Sequence, residues 1–175
     1  GIGAVREAAE AQGVRLESHL DVSAGPVHGD QTRLQQIVWN LVSNAIKFTP
    51  RGGRVDIGLA RQGPSVVISV RDTGEGIAAE DLEHIFDRFG VPHASARAHG
   101  GLGLGLSIVR HLVKLHQGTV SADSAGPGQG AMFMVTLPIM DEDTVAATEA
   151  GETDRLPESA RLPDGVAELG VEDPF

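Results

Sequence analysis

The stretch Asp72-Thr73-Gly74-Glu75-Gly76-Ile77 sets a carboxylate directly before a Gly-x-Gly turn. Glycines there permit φ > 0 and a close backbone approach to a flat or anionic ligand. The preceding run, Pro64 to Arg71, reads as a strand with Val66, Ile68 and Val70 on one face and Val67, Ser69 and Arg71 on the other. Asp72 shares the parity of the first set, so its carboxylate points to the covered side. It needs a donor there, from the protein or from a ligand, because an unpaired buried polar group costs on the order of 2–7 kcal/mol.

A second set of polar residues lies on one helical edge. Arg33, Gln36, Asn40, Asn44 and Lys47 recur at helical spacing beside the apolar stripe Leu34, Ile37, Val38, Leu41, Val42 and Ala45. Asn is a mediocre helix former, and a plain solvated face is typically rich in Glu and Lys. Two amides and an ammonium on one edge are read either as a solvated helix face or, since that face would favour Glu and Lys, as a candidate site surface. A third set is Gly100-Gly101-Leu102-Gly103-Leu104-Gly105-Leu106. Alternating glycines at a helix N-terminus gather backbone N–H groups and the positive end of the helix dipole, which suits phosphate. A dinucleotide-binding turn would need a strand directly before it. Here a small, polar, aperiodic stretch from Asp87 to His99 precedes it and reads as a loop.

The elements that must position these groups follow in order. Residues 4–12 favour helix, with Gly13 as a stop. Val14 to Val22 reads as a strand, and Val27-His28-Gly29 as a short one after the Gly25-Pro26 turn. Asp30 is a natural N-cap for a helix over Gln31 to Phe48 that stops before Thr49-Pro50. Arg54 to Arg61 pairs with the Asp72 strand as an antiparallel hairpin, Val55, Ile57 and Leu59 inward. A short helix is expected over Ala78 to Phe86 and another over Leu104 to His116. The last strand pair is Gly118 to Asp123 and Ala131 to Leu137, joined by the turn Ser124 to Gly130.

The chain has 175 residues, enough for one domain with its own core, and only 3% aromatics, so that core is aliphatic. It contains no cysteine, which excludes disulfides and Cys-based metal sites and fits a cytoplasmic protein. No apolar run reaches the ~20 residues a membrane helix requires. Of the net charge of −10, residues 139–175 carry 11 acids against 2 bases. The expected organisation is thus the end of a linker helix (1–13) from an upstream domain, a folded domain (14–138) and an acidic, largely disordered tail (139–175). The near-neutral folded part has no basic stripe, so no nucleic-acid partner is expected.

Over residues 14–138 the chain resembles the ATP-binding catalytic domain of bacterial sensor histidine kinases, within the gyrase–Hsp90–kinase–MutL superfamily. The resemblance is carried by Asp30 to Pro50, Asp72 to Ile77, Ile85-Phe86-Asp87-Arg88-Phe89 and Gly100 to Leu106, in that order. It implies an α+β fold: a two-layer α/β sandwich, its mixed, mainly antiparallel sheet of about five strands covered on one face by three helices. It also implies ATP and Mg²⁺ between the Asn40/Asn44 helix, the Asp72 turn and a lid over 87–101. In that reading Asp72 accepts from the adenine amino group, and Gly74 and Gly76 let the backbone approach the base. Asn44 offers an oxygen to Mg²⁺, with Asn40 beside the same ion. Lys47 faces the phosphates as a point charge, and Gly101, Gly103 and Gly105, with Leu102 and Leu104 between them, cradle phosphate. Phe86 and Phe89 anchor the lid, and Phe48 or Ile77 packs near the base.

Hydrolases of the superfamily carry a water-activating Glu at the position resembling Asn40. An amide has no useful basicity near neutral pH, which argues for phosphoryl transfer to a presented nucleophile. The family's nucleophile is a histidine on a separate dimerisation domain, with a response regulator downstream. No such domain is visible here, so the expectation is a domain that binds ATP–Mg²⁺ without phosphorylating itself. The chain departs from the family after Phe89, where Gly90-Val91-Pro92 replaces an Arg- or Gln-rich segment that reaches the phosphates, so either Arg97 takes that role or affinity and rate are low. An anti-sigma-factor-like serine kinase, or a nucleotide-binding scaffold without transfer, are the alternatives.

Overall fold

The computed structural model describes residues 2–87 and 104–140. Helix α1 (Ile2–Gln12) ends at Gly13, whose φ of 68° is the left-handed stop the sequence suggested. Strand β1 (Arg15–Leu20) is shorter than the expected Val14 to Val22. Val27 forms an isolated bridge to Ile139 in place of a short strand. Helix α2 (Gln31–Phe48) has the expected bounds. Asp30 Oδ1 caps it by accepting from the backbone N–H of Thr32 (2.7 Å) and Arg33 (3.1 Å). Its end is closed by buried Thr49, whose hydroxyl donates to the Ala45 carbonyl at 2.6 Å before Pro50 stops the helix.

Strands β2 (Arg54–Gln62) and β3 (Ser65–Asp72) form the expected antiparallel hairpin. Helix α3 covers only Ala79–Leu82, less than the span Ala78 to Phe86. It has no side-chain cap, and the chain tightens into turns, with His84 N–H bonded to the Asp81 carbonyl and Asp87 N–H to that of His84. Helix α4 (Gly105–Leu115) and strands β4 (Thr119–Asp123) and β5 (Met132–Pro138) complete the described fold.

The five-stranded sheet has the order β1-β2-β3-β5-β4. β1 runs parallel to β2, and every other pair is antiparallel. The register puts Leu16, Val55, Ile57, Val70, Phe133 and Val135 on one face, and Asp72 opposite Val55 shares it. That face packs against the apolar stripes of α2 and α4, where Ile37, Leu41, Val42, Val109 and Val113 are fully buried. Phe86 joins this core edge-to-face on Phe133, ring centroids 6.4 Å apart. No helix among the described residues is long and apolar enough to cross a membrane.

Because Leu41 is 0% exposed, Leu41→Ala should lower the urea midpoint by an amount worth about 2–5 kcal/mol with unchanged slope. Gln35→Ala, on the exposed side of α2, should stay within about 0.5 kcal/mol of the parent in the same unfolding experiment.

Candidate functional site

Asp72 ends β3 and is 6% exposed. Its Oδ1 accepts from the backbone N–H of Gly74 at 2.8 Å and of Ala131 at 3.2 Å. The inward carboxylate therefore has structural donors and does not depend on a ligand for them. Both bonds fall on one oxygen, and among the described residues nothing donates to the other. Burial pushes the carboxyl above its ordinary value of 3.8, and the two N–H groups pull the other way.

The Asp72 turn is clasped from two sides. Glu75 N–H reaches the Phe48 carbonyl at the end of α2 at 3.1 Å. From the β4–β5 turn, Gly128 N–H donates to the Glu75 carbonyl (2.6 Å) and Gly130 N–H to that of Gly74 (3.1 Å). A side chain on Gly74 would collide with the Phe48 carbonyl, and one on Gly76 (φ 67°) with that of Gly126. Protein backbone is thus sufficient reason for both glycines, before any ligand is considered.

Next to this turn lies a cavity of about 330 Å³, at the lower end of small-molecule sites. Ala45, Phe48, Ile77, Ile85, Leu106 and Phe133 make its apolar walls, while Asn44, Asp72, Glu75 and Asp81 supply polar groups. Gly76, Ala78, Pro127 and Ala131 fill the remainder. Asp72 and Asn44, remote in sequence, border one space.

Asn40 and Asn44 converge on the start of α4. A methyl group on Gly105 would lie 3.5 Å from Asn44 Nδ2 and 3.6 Å from Asn40 Oδ1. Asn40 itself is not part of the cavity wall, and neither is Lys47. The Lys47 ammonium stands 5.3 Å from the ring centroid of Phe48, which does line it. Leu104 precedes α4 and is half-buried. Asp87 lies 3.3 Å from His84 Nδ1 and accepts from Arg110 Nη2 on α4 (2.9 Å), partners that in that order hold its carboxyl below the usual range. Phe89, Arg97, Gly101, Leu102 and Gly103 lie outside the described residues.

Sequence reasoning missed Asp81, Pro127 and Ala131 as wall residues. Pro127, between Gly126 and Gly128, reads only as a turn, and Ala131 meets Asp72 through a strand pairing that no local pattern announces.

Residues 29–141 match the family model described as histidine kinase-, DNA gyrase B-, and HSP90-like ATPase. Over 139 residues the chain is 46% identical to the sensor-like histidine kinase SenX3 of Mycobacterium tuberculosis, covering 79% of this chain and 32% of SenX3. It is 40% identical over 171 residues to an uncharacterized sensor-like histidine kinase of Rhizobium meliloti, covering 93% of this chain and 32% of the relative. It thus spans about a third of the length of these relatives. Among solved structures, the mycobacterial sensor histidine kinase MprB superposes with a TM-score of 0.66 at 32% identity, covering 78% of this chain and 92% of that one. The catalytic domain of histidine kinase ThkA does so with 0.64 at 28% identity, over the same shares. The chain belongs to the histidine kinase-, gyrase B- and HSP90-like ATPase family, as a sensor histidine kinase catalytic domain.

Proposed function

We propose that the cavity binds ATP with Mg²⁺, adenine toward Asp72 and phosphates toward Asn44 and the start of α4. The domain then transfers the γ-phosphoryl group to a histidine on a separate dimerisation domain, for passage to a response regulator. The observation that carries this is the shared cavity, whose wall includes both the Asp72 carboxylate, one oxygen of which has no donor among the described residues, and the Asn44 amide. That oxygen accepts from the exocyclic amine of adenine. The 6-oxo group of guanine would meet it with a second acceptor.

The residues fit a magnesium–triphosphate. Among the described residues no cluster of three His, Cys, Asp or Glu side chains forms a self-sufficient metal site. Mg²⁺ instead keeps water and phosphate oxygens and takes one or two protein ligands, a part suited to the Asn44 amide oxygen with Asn40 one turn away. When bound, the ion supplies positive charge that offsets the charge developing on the transferred group. Around it the chain's own work is orientation: the base is held at Asp72, and the polar edge of α2 meets the phosphates with Lys47 nearby. Arg97 and the glycines 101, 103 and 105 complete the phosphate cradle, and Phe89 the lid. Asn40 offers no base to activate water, which supports transfer over hydrolysis. The relatives' names favour histidine over serine as acceptor. A cytoplasmic location suits a domain that draws on ATP.

Asp72→Asn should weaken ATP binding about 10- to 150-fold in calorimetric titration, the value of a hydrogen bond to a charged group. The amide keeps the acceptor for Gly74 and Ala131 but turns an NH₂ toward the adenine amine. The sign of its effect on stability is opposite. Since the folded carboxyl titrates above 3.8, its contribution to stability falls as pH rises through the window from the unfolded value to the folded one. The urea midpoint of Asp72→Asn should therefore equal or exceed that of the parent at neutral pH, and the gain should vanish below that window.

Asn44→Ala should abolish the Mg²⁺-dependent part of ATP affinity, and unchanged affinity in magnesium would refute the metal assignment. Incubated alone with labelled ATP, the chain should acquire no acid-labile phosphate. Adding the cognate histidine-bearing domain should restore labelling on that domain.

A further inference from the structure

Resting on the adenine reading above, we propose that Ser124, at the start of the β4–β5 turn, is the positioning residue that sets the direction of the Asp72 carboxylate. Its side chain is no part of the cavity wall. Its hydroxyl has one proton and two lone pairs, and all three are engaged. The proton goes to the Gly130 carbonyl at 2.7 Å, the shortest contact the hydroxyl makes. The lone pairs accept from Ile77 N–H at 3.0 Å and Gly126 N–H at 3.3 Å.

Each of those partners lines the cavity or adjoins a residue that does. Ile77 lines it. The Gly126 carbonyl occupies the place a side chain on Gly76 would take. Gly130 N–H holds the Gly74 carbonyl, and the next residue, Ala131, donates to Asp72 Oδ1. One hydroxyl thereby sets the separation of two turns that are remote in sequence. Without it, Ile77 N–H loses its acceptor and Gly130 its donor in a part-buried place, where neither is cheaply replaced. The turns then relax apart, and the unbonded oxygen of Asp72 loses its aim at the 6-position of the purine.

The readout is discrimination at that position. The 175-residue chain is titrated in magnesium with ATP and with inosine triphosphate, in which a 6-oxo group replaces the amine. Ser124→Ala should lower the ATP-to-inosine-triphosphate affinity ratio about fivefold, the size of one neutral hydrogen bond. Ser124→Thr, which keeps the hydroxyl, should retain the ratio. Ser124→Cys, with its weak donor, should fall between and serves if the alanine variant does not fold. An unchanged ratio in the Ala or Cys variant, with both nucleotides weakened alike, would mean a general structural role and overturn the proposal. The Asp72→Asn variant separates the two levels. If it leaves the ratio intact, the adenine reading fails and the Ser124 proposal with it. If it collapses the ratio while the Ser124 variants do not, only the Ser124 proposal is wrong.

Discussion

A carboxylate kept from water at the end of a central strand is the interaction on which the rest depends. Removing Asp72 from solvent disfavours its charge, and two backbone N–H groups counter that cost. One comes from the residue two along the chain. The other comes from Ala131, directly before β5 and 59 residues away. For both to reach one oxygen, the Asp72 turn and the β4–β5 turn must lie backbone to backbone. That closeness is why a side chain on Gly130 would strike the Asp72 carbonyl and one on Gly76 the Gly126 carbonyl, while Gly74 is closed off by the Phe48 carbonyl at the end of α2. The demand for glycine at 76 and 130 follows from this approach of the two turns.

Helix α2 solves a related problem with one surface. Its inner stripe is sealed against the sheet, with Ile37, Leu41 and Val42 fully buried, so its rotation about its own axis has little freedom. That rotation sets where Asn40 and Asn44 face, and they face the first turn of α4. Under the proposed function amides suit such a place: they would present oxygen without adding negative charge beside phosphates. Packing on one side of a helix thus aims chemistry on the other.

Much of this was legible in the chain because it is written in short-range patterns. Period-2 alternation through Val66, Ile68 and Val70 put Asp72 inside. The spacing from Leu34 to Ala45, with Asp30 before it and Pro50 after, defined α2 to the residue. What stayed hidden was non-local. Nothing near Ala131 announces that its N–H meets Asp72, and Asp81 gave no sign because α3 is a single uncapped turn whose facing depends on the core beneath. Lys47 shows a different limit. Helical spacing placed it on the Asn edge, yet the ring of its neighbour Phe48 draws the ammonium close, a preference that periodicity does not encode.

The cavity walls come from α2, β3, α3 and the turns around it, the first residues of α4, the β4–β5 turn and β5. No fragment of the chain assembles that enclosure by itself. A molecule seated there consequently binds the complete native state and has little hold on the unfolded one, so occupancy stabilises the whole domain by RT ln(1 + [L]/Kd). At a hundredfold excess over Kd that is about 2.7 kcal/mol, a sizeable fraction of the marginal stability typical of small domains. The resting concentration of its ligand then becomes a determinant of how long the polypeptide survives proteolysis, independent of any turnover.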